Sequence, residues 1–172
     1  MKLAFTKMHG CGNNYIYFNC FDQTVPDPES LSIKLSEPHF GIGGDGIILI
    51  SPSDKADAQM RIFNADGSEG KMCGNGIRCV GKYLYDNGMT DGRTTITIDT
   101  LSGVKTLELT VKDGKMQSAR VDMGAAILAP REIPVDMDGE NVISAPIVVD
   151  EKVYHMTCVS MGNPHCVIFQ KE

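Results

Sequence analysis

The middle of the chain carries the clearest hydrophobic pattern, with apolar side chains at intervals of three and four residues. This spacing places them on one face of an amphipathic helix, which we predict from Asn75 to Asp86. The apolar face consists of Ile77, Val80 and Leu84, with Tyr83 beside them. Asn87-Gly88 ends the helix, because Asn and Gly adopt the left-handed conformation most easily. Cys73 is therefore predicted at or just before the first turn.

Outside this helix, short apolar runs between glycines and prolines predict β-strands. A second, shorter helix is predicted from Pro28 to Glu37, with Asp27 as its N-cap and with Leu31 and Leu35 on one face. Lys112-Asp113-Gly114-Lys115 has the composition of a hairpin turn. The predicted strands are residues 1–8, 15–18, 47–50, 59–63, 94–100, 104–112, 116–123, 147–149 and 153–159.

The predicted position of Cys73 gives it a candidate chemical role. The first turn of a helix leaves backbone N–H groups without acceptors, and these groups stabilise an anion together with the positive end of the helix dipole. A thiol at this place is reactive, because the thiolate is favoured. Gly74 and Gly76 leave the N–H groups of the turn open to a carboxylate. The sequence therefore predicts a reactive cysteine beside an anion-binding turn.

The alternative is that Cys73 is a small buried side chain, as most free cysteines are. Its neighbours argue against this, because burying so many polar groups would require a partner for each of them. These neighbours are Asn64, Asp66, Ser68, Glu69 and Lys71. Cys79 differs, since it falls inside the helix beside Val80 and is predicted to belong to the core.

Composition and charge exclude several classes of protein. The chain has 172 residues, enough for one ordinary domain or for a small domain and part of another. A net charge of −6, with both signs interspersed, provides no basic patch for a nucleic acid. The longest apolar run, Ile47–Ile50, is far too short to cross a membrane, and no signal peptide opens the chain. We therefore expect a cytoplasmic protein.

Six cysteines are spread along the chain without a Cys-x-x-Cys pair, so we expect neither disulfides nor a metal site. The segment Gly41–Gly46 is similar to a dinucleotide-binding loop, but it precedes a strand and does not join a strand to a helix. Near the end of the chain, Gly162-Asn163 precedes an apolar strand as Gly12-Asn13 does near the beginning. Chance is the alternative explanation of so short a match. If it is a true repeat, the sequence is half of a duplicated protein.

Four segments resemble the diaminopimelate epimerase family, and their order and spacing cover the chain nearly end to end. They are Lys7–Asn13 (KMHGCGN), Gly41–Gly46 (GIGGDG), Arg61–Arg78 and Val159–His165 (VSMGNPH). The resemblance implies a cofactor-independent epimerase that interconverts LL- and meso-2,6-diaminopimelate in lysine and peptidoglycan biosynthesis. It also implies an α+β fold, with a mixed sheet of barrel-like strands around a central helix, in two pseudosymmetric halves. We expect residues 1–118 to form the first half and residues 119–172 to begin the second.

The resemblance also implies roles for individual residues. Cys73 matches the first of two catalytic cysteines, and His165 matches a histidine near the reacting centre. Gly74 and Asn75 match the helix N-terminus that holds the reacting α-carboxylate. The asparagines that match substrate-binding positions are Asn13, Asn64 and Asn163.

This chain departs from the family pattern at several points. Many members have Gln where Gly46 stands, and Asp is common in place of Asn14. The family's second cysteine, and the Glu-Arg pair that precedes it, have no counterpart by motif in the 172 residues. We therefore expect the chain alone to be inactive in epimerisation.

Two alternatives stay open at this point. One is a related isomerase of the same fold, similar to proline racemases or to phenazine-biosynthesis isomerases. The other is an inactive, truncated ligand-binding module that keeps the carboxylate-binding turn. Under all three interpretations we expect a small molecule as the binding partner, and neither a nucleic acid nor a membrane. The sequence does not decide between a monomer and a homodimer.

Overall fold

This computed structural model describes residues 2–170, in which a first unit runs to Asp122 and a second unit begins at Met123. The predicted boundary lay after residue 118. In the structure the last strand of the first unit continues to Val121, because residues 119–121 still pair with residues 107–109 of the preceding strand.

The first unit contains a mixed sheet. Its strands are β1 (Thr6–Gly10), β2 (Asn13–Asn19), β3 (Gly46–Ser51), β4 (Ala58–Asn64), β5 (Glu69–Gly70), β6 (Thr95–Asp99), β7 (Lys105–Lys112) and β8 (Lys115–Val121). The strand order is β1-β2-β3-β4-β6-β7-β8, and the short β5 pairs with β4. The pairs β2–β3 and β4–β6 are parallel, and the other pairs are antiparallel.

Helix α2 (Gly74–Asp86) lies against strands from both ends of this sheet. It packs on β1 and β2 at one end and on β7 and β8 at the other, so the sheet curls around the helix. The helix buries one face, as its apolar spacing predicted, with the side chains of Ile77, Cys79, Val80 and Leu84. Burial of each of the three aliphatic side chains, Ile77, Val80 and Leu84, contributes about 1.5–3 kcal/mol. The predicted α+β fold, with barrel-like strands around a central helix, is confirmed.

Helix α1 (Pro28–Ser36) packs against β3 and β4. Asp27 is its N-cap and accepts a hydrogen bond from the N–H of Ser30 at 3.2 Å, as the sequence predicted. The buried hydroxyl of Ser32 donates to the carbonyl oxygens of Phe63 and Asn64, at 2.9 and 2.8 Å. Helix α1 therefore fixes the end of β4, where the chain turns toward Cys73.

The second unit contains a three-stranded antiparallel sheet of order β11-β10-β9. Its strands are β9 (Ala145–Val149), β10 (Lys152–Ser160) and β11 (Pro164–Ile168). A small core of buried side chains holds it together, formed by Ile133, Val142, Met156 and Cys158. Of the helices among residues 2–170, none has the length and the apolar character needed to cross a membrane.

Candidate active site

Cys73 is the N-cap of α2, and its thiol lies at the open end of that helix. Its backbone is extended, and its Sγ accepts a hydrogen bond from the N–H of Gly76 at 3.3 Å. The residue is half-buried, whereas Cys79 within the helix is only 6% exposed. The predicted placements of Cys73 at the helix start and of Cys79 in the core are both confirmed.

Asn13, at the start of β2, lies beside this thiol. The Sγ of Cys73 donates to Oδ1 of Asn13 at 3.2 Å, and Nδ2 of Asn13 donates to Oδ2 of Asp45 at 2.8 Å. The same oxygen of Asp45 accepts from the N–H of Asn14 at 2.7 Å. Because a carboxylate only accepts, the amide nitrogen of Asn13 faces Asp45 and its oxygen faces the thiol. Asp45 thereby fixes the orientation of the Asn13 amide, whose Oδ1 accepts the hydrogen bond from Cys73.

The first turn of α2 lies directly against β1. A Cβ on Gly10 would be 2.8 Å from the carbonyl oxygen of Asn75, so only a glycine permits this approach without a shift of the backbone. The guanidinium of Arg78 donates to Oδ1 of Asn75 and holds that side chain. The N–H groups of Gly74 and Asn75 belong to the turn that has no acceptors within the helix. Both residues are half-buried, so this turn is available to a carboxylate.

Asn64 ends β4 and begins the turn that leads to Cys73. Its Nδ2 donates to Oγ of Ser68 at 3.0 Å, and its backbone N–H donates to the carbonyl oxygen of Ser68 at 2.8 Å. Oδ1 of Asp66 accepts from the hydroxyl and the N–H of Ser68, and these bonds lower the pKa of Asp66. Asp66 therefore supports the turn between β4 and β5.

Gly46 pairs with Asn64 across β3 and β4. Its φ of 150° suits glycine, and a Cβ would collide with the carbonyl oxygen of Phe63. Gly46 thus serves the close approach of β3 and β4. Any polar contact here comes from the backbone.

Tyr15 is a member of the site that the sequence analysis missed. It is 6% exposed, and its pKa is raised to about 12, first by burial and then by the negative charge that the neighbouring Cys73 sulfur carries as a thiolate. Its hydroxyl is therefore neutral at physiological pH beside the cysteine. The sequence contains one signal that could have placed Tyr15 in the site. Residues two apart in a strand lie on the same face, so Tyr15 shares a face of β2 with Asn13.

In the second unit, Asn163 lies in the turn between β10 and β11, and His165 is the second residue of β11. Oδ1 of Asn163 and Nε2 of His165 are 3.1 Å apart, and both residues are exposed. The N–H of Met161 donates to the carbonyl oxygen of Asn163 at 3.2 Å, which closes the turn. The structure thus brings these two predicted site residues together.

Within residues 2–170, no group of three or more His, Cys, Asp or Glu side chains could hold a metal ion.

A family model described as diaminopimelate epimerase matches residues 5–129 of this chain. A protein of Acetivibrio thermocellus named diaminopimelate epimerase is 56% identical over 169 residues, which cover 98% of this chain and 60% of that protein. The chain belongs to the diaminopimelate epimerase family. A relative of the same name from Methanococcus maripaludis is 53% identical, over 97% of this chain and 60% of its own length. The chain thus spans about 60% of the length of these family members.

Solved structures with low sequence identity share the fold of this family member. A probable proline racemase from Agrobacterium radiobacter K84 superposes with a TM-score of 0.73 at 17% identity, covering 97% of this chain and 52% of that one. A hydroxyproline epimerase from Agrobacterium vitis gives a TM-score of 0.68 at 16% identity, covering 95% and 50%. These similarities establish the architecture alone.

Proposed function

We propose that this chain supplies one acid/base cysteine, Cys73, of an epimerase that interconverts LL- and meso-2,6-diaminopimelate without a cofactor. The observation that carries the proposal is the place of the Cys73 thiol at the N-terminus of α2, with Asn13 and the Gly76 N–H as its hydrogen-bond partners. Membership of the family supplies the substrate.

In this proposal the thiolate of Cys73 removes the α-proton from one face of the substrate, and as a thiol it returns a proton to the same centre in the reverse direction. Inversion needs a second acid on the opposite face. By the family motif, that group is a second cysteine, for which the 172 residues contain no matching segment.

The α-proton of an amino acid is a very weak acid, so the developing carbanion needs stabilisation by fixed dipoles. The N–H groups of Gly74 and Asn75 are proposed to bind the α-carboxylate and to stabilise the charge that develops on it in the transition state. The neutral hydroxyl of Tyr15 and the amide of Asn13 adjoin the same thiol without adding a negative charge.

The remaining polar residues are proposed to position the substrate. The family motifs match Asn13, Asn64 and Asn163 to substrate-binding positions, and they match His165 to a histidine near the reacting centre. The second unit, which starts at Met123, is proposed to begin the second, pseudosymmetric half. These assignments follow the family motifs, and the turn contacts of Asn64 and the bond between Asn163 and His165 are compatible with preorganised side chains.

A cytoplasmic location and a homodimer are part of the same proposal. The location is supported by six cysteines that all carry free thiols, as is usual in reducing compartments. The net charge of −6 argues against a nucleic-acid partner. Sedimentation of the purified chain over a range of concentrations distinguishes a monomer from a dimer.

Protection of Cys73 from alkylation tests the proposed substrate site. Trypsin releases residues 72–78, a peptide in which Cys73 is the sole cysteine, so its modification by iodoacetamide can be followed by mass spectrometry. We expect 2,6-diaminopimelate to slow the modification, because its α-carboxylate occupies the turn next to the thiol. Cadaverine, which has both amines and no carboxylate, should give no protection. Protection by proline without protection by diaminopimelate would overturn the proposal in favour of a racemase-like specificity.

A further inference from the structure

Two of the cysteines, Cys158 on β10 and Cys166 on β11, lie directly opposite each other in the antiparallel register of the second unit. Cys158 belongs to the small core of this unit and is 3% exposed, whereas Cys166 is exposed to solvent. Both Sγ atoms lie close to the same atom, Sδ of Met156, at 4.0 and 3.8 Å. The two thiols therefore share one small space, with one accessible from outside and the other shielded.

The backbone hydrogen bonds show which kind of cross-strand pair this is. The N–H of Cys158 donates to the carbonyl oxygen of Val142 at 2.9 Å, on the side of β10 that faces away from β11. Because the N–H and C=O of one strand residue point to the same side, Cys158 and Cys166 form a pair without mutual backbone hydrogen bonds. The two kinds of pair alternate along the ladder, so the pair of Ser160 and Pro164, two residues further along, is of the same kind as the cysteine pair. Pro164 fits such a pair because it has no N–H to donate.

A pair of this kind brings the side chains closer together than the hydrogen-bonded kind, with Cα atoms about 4.5 Å apart. Disulfides span Cα separations of about 4.4–6.8 Å, so the pair lies at the short end of the permitted range. A bond formed there is exposed at Cys166 and lies away from the most common Cα separation of about 5.5–6 Å, and exposed or strained disulfides are the ones that thiols reduce readily. The geometry therefore suits a reversible bond better than a permanent structural one.

We propose that Cys158 and Cys166 are a redox modification site, at which a low-molecular-weight disulfide of the glutathione class converts the two thiols into a cross-strand disulfide. This site is separate from the acid/base chemistry proposed for Cys73 and does not depend on it. Burial and the neighbouring Cys166 thiol raise the pKa of Cys158, which agrees with Cys166 reacting first.

The exchange takes place in two steps. The thiolate of Cys166 attacks one sulfur of the small disulfide, which forms a mixed disulfide and releases a small thiolate that takes up the proton lost by Cys166. The thiolate of Cys158 then attacks Sγ of Cys166 and expels the second small thiolate, which takes up the proton lost by Cys158. Two protein thiols are oxidised to one disulfide, and one small disulfide is reduced to two thiols.

The bond would join β10 to β11 next to His165 and close to the turn that carries Asn163. Only residues 159–165 lie between the two cysteines, and the turn residue Asn163 is in this segment. Oxidation would therefore tie β10 to β11 beside these two side chains and restrict their movement.

Mass spectrometry of the purified chain, treated with oxidised glutathione and then with iodoacetamide, tests this proposal. Cleavage after Lys152 and Lys171 gives one peptide that contains both cysteines and no others. We expect this peptide to lose two hydrogens and both alkylation sites, and to regain both sites on treatment with reduced glutathione. A Cys11→Ser variant, changed at an exposed cysteine elsewhere, should behave identically.

A second variant moves the thiol by one residue and keeps the number of cysteines. In the double variant Cys166→Ala with Val167→Cys, the thiol points to the opposite face of β11, so the internal disulfide should not form. The simple variant Cys166→Ala, at an exposed position, should likewise leave Cys158 free for alkylation after unfolding. Two alkylated cysteines in the treated wild-type peptide would overturn the proposal. An internal disulfide forming equally fast in the double variant would also do so.

Discussion

A methyl group added at Gly10 tests whether the close contact between β1 and α2 fixes the position of Cys73. In Gly10→Ala, the new Cβ would lie 2.8 Å from the carbonyl oxygen of Asn75 and 3.3 Å from its Cα and carbonyl carbon. The first of these distances is about 0.6 Å short of ordinary contact at 3.4 Å. All three atoms are backbone, so no side chain can rotate away. The first turn of α2 must move instead.

We expect this overpacking to cost about 1–3 kcal/mol in the free energy of unfolding. The movement should also lengthen the bonds from the Cys73 thiol to Asn13 and to the Gly76 N–H, which are 3.2 and 3.3 Å in the structure. The alkylation rate of Cys73 should therefore change together with the stability. Urea unfolding followed by circular dichroism measures the first effect, and mass spectrometry of the peptide 72–78 measures the second.

Gly114→Ala is the matched control for this variant. Gly114 lies in the hairpin turn between β7 and β8 with φ 71° and has nothing within 4 Å of the added Cβ. The same methyl group should cost about 1–2 kcal/mol through the left-handed backbone alone and leave the Cys73 rate unchanged. If Gly10→Ala unfolds like the wild type and keeps the wild-type alkylation rate, the contact does not position the helix and the reasoning is refuted.

Three further predictions follow from the site and its surroundings. Iodoacetamide at neutral pH should modify Cys73 faster than Cys20 or Cys79, because burial raises the pKa of both of those thiols, and equal rates in the native protein would contradict an activating environment. The hydrogen bond from Arg93 lowers the pKa of Asp57 in the folded protein. The ionised carboxylate therefore stabilises the fold at pH values above its unfolded pKa of about 3.9. This stabilisation is lost as the pH falls through the lower pKa of the folded state. Asp57→Asn should therefore cost about 1 kcal/mol at pH 7, and its difference from the wild type in urea unfolding should shrink below about pH 4; a constant difference would contradict the assignment. The 172-residue chain alone should leave LL-diaminopimelate uninverted, as followed by chiral chromatography, and formation of the meso isomer at the rate of a full-length relative would contradict the two-cysteine account.

The sequence predicted the elements with strong periodicity better than the contacts between them. Helix α2 was predicted within one residue because its apolar face repeats over three turns and Asn87-Gly88 ends it. The two-residue strand β5 was missed, since an element that short has no period to detect. The first strand was predicted at residues 1–8 but is formed by Thr6–Gly10, where pairing with β2 decides its limits.

The residues of the candidate site show the same difference between local features, which the sequence predicted, and contacts between elements, which it did not. Cys73 at a helix start is a local property, and the pattern around it was sufficient to predict it. The bond from Cys73 to Asn13 joins residues 60 positions apart, and it depends on the packing of α2 against β1 and β2. The orienting bond from Asn13 to Asp45 depends likewise on the parallel pairing of β2 with β3. Such contacts follow from tertiary packing, which no local pattern encodes.

Solvent exchange at the α-carbon tests the central claim that Cys73 is an acid/base group for diaminopimelate. The purified chain is incubated with 2,6-diaminopimelate in D2O, and deuterium at the α-carbon is measured by mass spectrometry. The account predicts incorporation by the wild type and by Cys79→Ala, the same change at the buried cysteine, and its loss in Cys73→Ala. The claim would be contradicted if Cys73→Ala incorporated deuterium at the wild-type rate. It would also be contradicted if the wild type incorporated no more deuterium than Cys73→Ala.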